Sequence, residues 1–265
     1  MPIELILLLL FIGAGTGSVS AIIKTSPVLV AIPALYFFLP VYDLSLDSVI
    51  LPVIATCLTA FIPTYLYTWI KSMKGGLVDF QRLINFTPGV VMGAVIGAQI
   101  LSLINPNVFK VAFTIISIAG IFNIILSAKI EAVKSVNIGK FARLPIGLLV
   151  GVASLISGNC GRVLAGYLFA INKTSLIHRQ GTIDGVVVFV SIAAMVGFIY
   201  PAQTFNDLGL TAFAGAIHLP SVLVLAVSHF FFFWFCENRG NELDKKVLSI
   251  SFMCFLAFAL IRLWI

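Results

Sequence analysis

Residues 155–164 read Leu-Ile-Ser-Gly-Asn-Cys-Gly-Arg-Val-Leu and join two apolar runs, 144–157 and 162–172, that are each too short to cross a bilayer. Glycine is a poor helix former, so the Gly-Asn-Cys-Gly segment predicts a broken helix. Backbone freed by such a break at membrane depth is satisfied only by protein or by a watery cavity, and arginine in hydrocarbon is costly and usually functional. The stretch therefore predicts the floor of a binding site for a negatively charged ligand.

The composition around this stretch is that of a polytopic integral membrane protein. The chain has 265 residues, of which 60% are hydrophobic and 10% are charged, whereas an average soluble domain carries roughly 25% charged residues. No segment is polar enough to form a soluble domain, so residues 1–265 are predicted to form a single membrane transport domain in a lipid bilayer. The net charge of +6 is attributed to loop cations that set membrane topology, not to a nucleic-acid partner.

Several classes of site and segment are not predicted. The N-terminus lacks the basic region of a signal peptide, so the first apolar run is expected to be retained. The four cysteines share no spacing typical of a disulfide framework or a zinc motif. No Walker motif is present, and ten acidic residues, mostly in loops, with three scattered histidines offer no converging catalytic set. We therefore predict no cofactor, no metal and no enzymatic activity.

Ten apolar runs follow one another along the chain: 3–23, 27–42, 48–70, 84–104, 107–128, 144–157, 162–172, 183–201, 217–236 and 246–264. A spanning helix needs about 20 residues, and six runs meet this length comfortably, namely the third, fourth, fifth, eighth, ninth and tenth. The remaining four form two adjacent pairs, one at the N-terminus and one around the quoted stretch.

The distribution of Lys and Arg predicts the orientation. These residues concentrate in the connections 71–82, 129–143, 173–179 and 236–246, whereas the connections 43–47 and 201–217 carry only Asp43, Asp47 and Asp207. By the positive-inside rule the first four connections face the cytoplasm. The second pair then starts and ends inside, which predicts a re-entrant hairpin.

The three spans after the first pair run in, out and in, and the three after the second pair run out, in and out. The predicted fold is therefore all-α, with two inverted repeats that each contain a broken or re-entrant helix pair followed by three transmembrane helices. The repeats are 1–128 and 144–265, with 129–143 as a cytoplasmic linker. The motif Gly13-x-x-x-Gly17-x-x-Ser20 recurs 134 residues later at 147–154, which supports a duplication. The first apolar run is long enough to cross the bilayer, so the first pair is either spanning or re-entrant.

Short motifs carry a resemblance to a known family. The loop Lys74–Asp79 reads Lys-Gly-Gly-Leu-Val-Asp and is followed by Pro88-Gly89 and Gly93-x-x-x-Gly97, while residues 32–35 read Ile-Pro-Ala-Leu. Together with the Gly-Asn-Cys-Gly segment, these motifs resemble the sulfite exporter TauE/SafE family of prokaryotic membrane permeases. The chain has Ser26-Pro27-Val28 where that family has a triple glycine. The resemblance implies transport of sulfur-containing anions such as sulfite or organosulfonates.

The predicted substrate-binding residues are Lys24, Ser26, Ser157, Gly158, Asn159, Cys160, Gly161 and Arg162. The Arg162 guanidinium has the donor geometry that suits an oxyanion, or it pairs with an acidic residue or with freed carbonyls. Lys24 faces the same cavity if the two halves are related by symmetry, or it snorkels to an interface. Residues 157–161 either present N–H groups at a half-helix N-terminus or pack as small residues. Cys160 is either a reactive thiol or a small buried residue.

Asp184 and His229 are candidates for coupling transport to protons. For Asp184 the alternatives are a pair with Arg162 or an acid in the first turn of a helix. For His229 the alternative is a packing role. The leading hypothesis is a secondary transporter of small anions in the cytoplasmic membrane, working by alternating access, with a homo-oligomer as an open possibility. An anion channel with the same site and a transporter for a different small organic anion are the alternatives.

The orientation can be tested without a structure. Single cysteines introduced into the connections 71–82 and 201–217 are expected to react with a membrane-impermeant thiol reagent from opposite faces of the membrane, because one connection is rich in cations and the other has none. Labelling of both connections from the same face would contradict the predicted topology.

Overall fold

A computed structural model describes residues 3–38, 46–131, 138–172, 174–201, 205, 212–239 and 244–264. The helices in these ranges are α1 (Ile3–Ile23), α2 (Val28–Phe38), α3 (Leu46–Ala60), α4 (Ile62–Lys74), α5 (Phe80–Leu101), α6 (Pro106–Glu131), α7 (Lys140–Ile156), α8 (Arg162–Ile171), α9 (Leu176–Ile199), α10 (Leu219–Arg239) and α11 (Lys245–Trp264). Two short strands, β1 (Phe213–Ala214) and β2 (Ile217–His218), form an antiparallel hairpin before α10. Asp43, Asp207, Lys173 and the centre of the predicted linker, 132–137, lie outside the described residues.

The described part confirms an all-α polytopic membrane protein, with the small hairpin as an addition. Seven helical segments are long and apolar enough to cross a membrane: α1, the combined segment Val49–Lys74, α5, α6, α9, α10 and α11. Six of these correspond to the predicted spans, and α1 is the seventh. Three shorter apolar helices, α2, α7 and the ten-residue α8, belong to the two predicted pairs.

The predicted single run 48–70 is two helices, separated at Phe61. Pro63 occupies the first turn of α4. Proline has no backbone N–H and its ring crowds the preceding turn, so the helical hydrogen-bond ladder is interrupted just before it. The chain continues in nearly the same direction, because the Phe61 N–H still donates to Cys57 O at 3.2 Å and Tyr65 N–H donates to Phe61 O at 3.1 Å. The break places the start of α4 inside the fold.

Helices also begin earlier than the apolar runs predict. The N-terminus of α5 lies at Phe80, where the Asp79 side chain accepts a hydrogen bond from the Arg82 N–H. Likewise α9 begins at Leu176, so His178 and Arg179 lie in its first turn and not in a loop. Polar residues at a helix end extend the helix beyond its membrane-facing part, and hydropathy alone does not detect them.

Two helix pairs pack closely through small residues. On α1, a side chain at Gly17 would collide with the backbone of α10 at His229 and Phe233. Glycines of α5 contact the backbone of α7 in rising order along both helices, which shows that the two run parallel: Gly89 faces Leu144, Gly93 faces Leu148 and Gly97 faces Val152. The Gly93-x-x-x-Gly97 motif is thus a close helix–helix contact, as the small residues predict.

Helix α9 lies at the centre of the fold. It packs against α3, α4, α5 and α8, and its residues from Gly181 to Val188 are all buried. At the opposite extreme, Phe122 and Phe258 on α6 and α11 are exposed, as expected for side chains that face lipid. A charged side chain on α9 is consequently held inside protein along most of the helix.

The close contact of α1 with α10 can be tested by adding one methyl group. Gly17→Ala is expected to lower the thermal unfolding midpoint in detergent by several degrees, because the new Cβ would lie 2.5 Å from the His229 carbonyl oxygen and overpacking costs about 1–3 kcal/mol. Gly15→Ala is the matched control on the same helix, since its Cβ would meet nothing within 4 Å. Equal midpoints for the two variants would contradict the packing.

Candidate functional site

The segment 157–161 breaks the second pair as the sequence predicts. Gly158 and Gly161 both have left-handed backbone, with φ of +65° and +84°. A side chain at Gly158 would also lie 3.0 Å from Ile32 and Phe109, so glycine is required there for space as well as for conformation. The chain restarts as α8 at Arg162, and Gly161 lies against Val190, near the middle of α9. The N-terminus of α8 is therefore deep within the helical bundle.

The turn after α1 meets this break directly. The backbone of Lys24 adopts the left-handed conformation, with φ of +57°, and its N–H donates to Ser20 O. The Arg162 Nη1 donates to the Lys24 carbonyl oxygen at 3.2 Å. Behind this contact, Ser26 Oγ lies 3.4 Å from Cys160 Sγ. The two turns that the sequence singles out are thus brought together, one from each predicted repeat.

Arg162 forms a buried ion pair with Asp184. Its Nη2 lies 2.5 Å from Asp184 Oδ1, and the side chains are only 12% and 6% exposed. Gln180, one turn earlier on α9, donates to the same carboxylate oxygen at 3.3 Å. The alternative that Asp184 is an acid in a first helical turn is wrong, because α9 begins at Leu176 and Asp184 lies in its third turn. The structure shows the other alternative, in which Asp184 pairs with Arg162.

A cavity of about 440 Å³ opens in front of this pair. Its deep wall carries Arg162 and Asp184, and its mouth carries Lys71 and Glu237, which form a second ion pair of 3.0 Å. The mouth lies at helix ends whose connections are predicted to be cytoplasmic. Lys24 also lines the cavity and is exposed to it.

Among the described residues that line the cavity, five buried side-chain atoms have no hydrogen-bond partner in the protein: Ser20 Oγ, Thr64 Oγ1, Arg162 Nε, His229 Nε2 and Glu237 Oε2. Buried polar groups are nearly always hydrogen-bonded, and each exception needs a water, an ion or a ligand. Their concentration on one cavity identifies it as the candidate functional site. It offers hydroxyl groups, one guanidinium N–H, one imidazole nitrogen and one carboxylate oxygen to a small polar ligand.

The predicted site residues divide into two groups. Lys24, Arg162, Asp184 and His229 line the cavity. The others are buried behind it: Ser26, Ser157, Gly158, Asn159, Cys160 and Gly161. Cys160 has the surroundings of a small buried residue, since its sulfur contacts Ser26 and lies 3.2 Å from Tyr65 Oη.

Sequence reasoning missed most of the other lining residues, among them Ser20 and Thr64, whose hydroxyl groups lack partners. Ser20 closes the repeated glycine motif, and Thr64 directly follows the proline at the start of α4. Both are polar residues within apolar runs, and this pattern is the signal that could have identified them.

In the described ranges, no group of three or more His, Cys, Asp or Glu side chains converges so as to hold a metal ion.

Comparisons with known proteins find membrane transporters. The model of the family described as sulfite exporter TauE/SafE matches residues 9–263 of the chain. A probable membrane transporter protein of Haemophilus influenzae is 21% identical over 260 residues, which are 98% of this chain and 98% of that protein. The probable membrane transporter protein YunE of Bacillus subtilis is 30% identical over 132 residues, or 50% of this chain and 48% of its own. No solved structure matches the chain.

The ion pair can be tested by a double-mutant cycle. Arg162→Gln and Asp184→Asn each leave one buried charge without its partner, and breaking a buried pair in this way costs about 3–5 kcal/mol. Each single variant is expected to unfold at a markedly lower temperature in detergent. The double variant should recover much of the loss, because two neutral amides can hydrogen-bond each other. Strictly additive losses would show that the two side chains are not coupled.

Proposed function

This chain belongs to the sulfite exporter TauE/SafE family of membrane transporters, and on that premise we propose that it carries small anions across the cytoplasmic membrane. The substrates we propose are sulfur-containing oxyanions such as sulfite or organosulfonates. The cavity in front of Arg162 is the proposed binding site. The lipid bilayer and a small-molecule substrate are partners that membership of the family implies.

This proposal rests on the incomplete hydrogen bonding of the Arg162 side chain. Two of its nitrogens are engaged, by Asp184 and by the Lys24 carbonyl, while Nε is buried and has no partner. A guanidinium donates through five N–H groups in a planar fork that matches the oxygens of an oxyanion. An oxyanion in the cavity would engage the remaining donor together with the hydroxyl groups of Ser20 and Thr64, which also lack partners.

Asp184 has a specific part in this proposal. A guanidinium fully neutralised by a carboxylate attracts an anion weakly, so a bound oxyanion competes with Asp184 for Arg162. This competition would keep the affinity moderate, and a carrier must release its substrate on the far side. Coupling of transport to protons through Asp184 or His229 stays a prediction.

We further propose that transport proceeds by alternating access of two inverted repeats, 1–128 and 144–265, linked by 129–143. The support comes from reciprocal packing: α1 of the first half lies on α10 of the second, and α7 of the second half lies on α5 of the first. The pairs α2 with α11 and α8 with α6 contact each other in the same exchanged manner. With its mouth beside Lys71 and Glu237, the cavity corresponds to an inward-open state of such a carrier.

The proposal is tested by counterflow of labelled substrate in proteoliposomes. Labelled sulfite, a small sulfonate, sulfate and a neutral control would be compared in the wild type and in the double variant Arg162→Gln/Asp184→Asn. We expect saturable counterflow of a sulfur anion in the wild type and a loss of at least tenfold in the double variant, because removing a charge-assisted hydrogen bond costs about 1.5–3 kcal/mol. This double variant removes the charge of Arg162 without leaving an unpaired carboxylate.

Arg262→Gln is the matched control, since Arg262 is an exposed residue in the last turn of α11 and does not line the cavity. Its counterflow should equal that of the wild type. Anion flux without counterflow would support a channel, and counterflow that survives the double variant would place the binding site elsewhere. No flux of any sulfur anion would overturn the substrate class.

A further inference from the structure

We propose that the anion bound in this cavity also carries a hydrogen-bond donor, such as a hydroxyl or amino group, and that His229 Nε2 accepts its hydrogen. This inference rests on the proposed function, because it specifies the chemistry of the ligand at the same site. It is carried by the hydrogen-bond network behind His229, which leaves the imidazole Nε2 of this lining residue as an acceptor without a partner.

The network begins at Thr16 on α1. The Thr16 hydroxyl donates its hydrogen to the Gly13 carbonyl oxygen at 3.0 Å. The same Thr16 oxygen lies 2.9 Å from His229 Nδ1. A hydroxyl has a single hydrogen and two lone pairs. We infer that this hydrogen stays on the Gly13 carbonyl, so that the Thr16 oxygen accepts a hydrogen bond from Nδ1–H of His229.

This assignment determines the character of the other ring nitrogen. In a neutral imidazole one nitrogen donates and the other accepts, so Nε2 is an acceptor. His229 is fully buried, with Phe61 packed at 4.5 Å and Phe233 at 6.3 Å between ring centroids. Its Nε2 has no hydrogen-bond partner in the protein, and the residue lines the cavity. A ligand or a water is therefore needed to donate to it.

Most of the other polar groups that line the cavity are hydrogen-bond donors, or carboxylates that already form ion pairs with cations. Asp184 is paired with Arg162, and Glu237 is paired through one oxygen with Lys71 at the mouth. The second Glu237 oxygen, Oε2, is buried without a partner, so it adds a further acceptor on the mouth side. A ligand with only acceptor atoms would satisfy Arg162 but would leave the imidazole nitrogen unpaired.

An unsatisfied buried acceptor is a strong basis for discrimination. A site that is built to pair with a substrate hydrogen rejects analogues that lack this hydrogen, because its own polar group then stays desolvated and unpaired. In this cavity the rejected ligands would be anions whose tail is purely apolar or only accepts hydrogen bonds. Arg162 supplies attraction for the anionic head, and His229 supplies selection for the tail.

The test compares three sulfonates of similar size: 2-hydroxyethanesulfonate, propane-1-sulfonate and 2-methoxyethanesulfonate. The first has a hydroxyl where the second has a methyl group, and the third keeps the oxygen but has no hydrogen to donate. Affinities would be measured by calorimetry on the purified full-length protein in lipid nanodiscs. We expect the hydroxyl compound to bind roughly tenfold more tightly than either analogue. In His229→Leu this preference should disappear, so that the three sulfonates bind with similar affinities.

A second pair of variants tests the tautomer without changing the histidine. Thr16→Val keeps the shape of the side chain but removes the acceptor for Nδ1–H, so the preference for the hydroxyl compound should fall. Thr16→Ser retains the hydroxyl group and should retain the preference. Loss of the preference in both variants, or in neither, would overturn the assigned network.

The outcomes separate this inference from the proposed function. If all three sulfonates bind equally well and lose affinity in the Arg162→Gln/Asp184→Asn variant, the anion site stands and the donor requirement is refuted. A preference that survives His229→Leu also refutes it, because another group would then accept the hydrogen. If the folded wild type binds none of the three, the proposal of organosulfonate substrates fails, and this inference fails with it.

Discussion

A guanidinium in the interior of a membrane protein must be compensated, and the fold is arranged around that requirement at Arg162. Desolvation of a charged group costs several kcal/mol unless a counter-charge and hydrogen bonds replace water. Asp184 supplies the counter-charge from the central helix α9, and the carbonyl of Lys24 supplies an acceptor from the turn after α1. These contacts tie three separate parts of the chain to one point. Because Asp184 lies in the third turn of α9, that point is inside the bundle and not at its surface.

Close helix packing makes this arrangement possible. The broken pair α7 and α8 reaches the interior only because α7 lies directly on the glycines of α5, where any side chain would strike the α7 backbone. The turn at Lys24 is positioned in a comparable way, since α1 lies on α10 through Gly13 and Gly17. The glycines thus have an indirect role in the site. They bring two chain breaks close enough for Arg162 to reach across from one to the other, and the cavity is the space left in front of that contact.

Much of this could be predicted from sequence because its causes are local. Glycines in an apolar run predict the break at 157–161, and hydropathy predicts six of the seven candidate spans in the described residues, while it leaves open whether the first run crosses the membrane. The partner of Arg162 could not be assigned, because α9 begins seven residues before its apolar run and this extension moves Asp184 from an apparent first turn into the interior. The sequence also could not predict that the hydroxyl groups of Ser20 and Thr64 lack hydrogen-bond partners. An unpaired state is defined by the absence of neighbours in space, and no pattern along the chain encodes it.

The charges that line the cavity give a physical reason why such a site suits transport and not storage. The described lining contains three Lys and Arg residues and two acids, and both acids are already paired with cations. Lys24 is then the cation in excess, so the cavity has a modest positive potential and not a strongly positive one. A site with several uncompensated cations would hold an oxyanion too tightly to release it, whereas one with none would not attract it. The remaining interactions come from neutral hydroxyl and imidazole groups, which contribute selectivity through geometry. In the proposed function, attraction of the anion and recognition of its tail are therefore carried by different residues of one cavity.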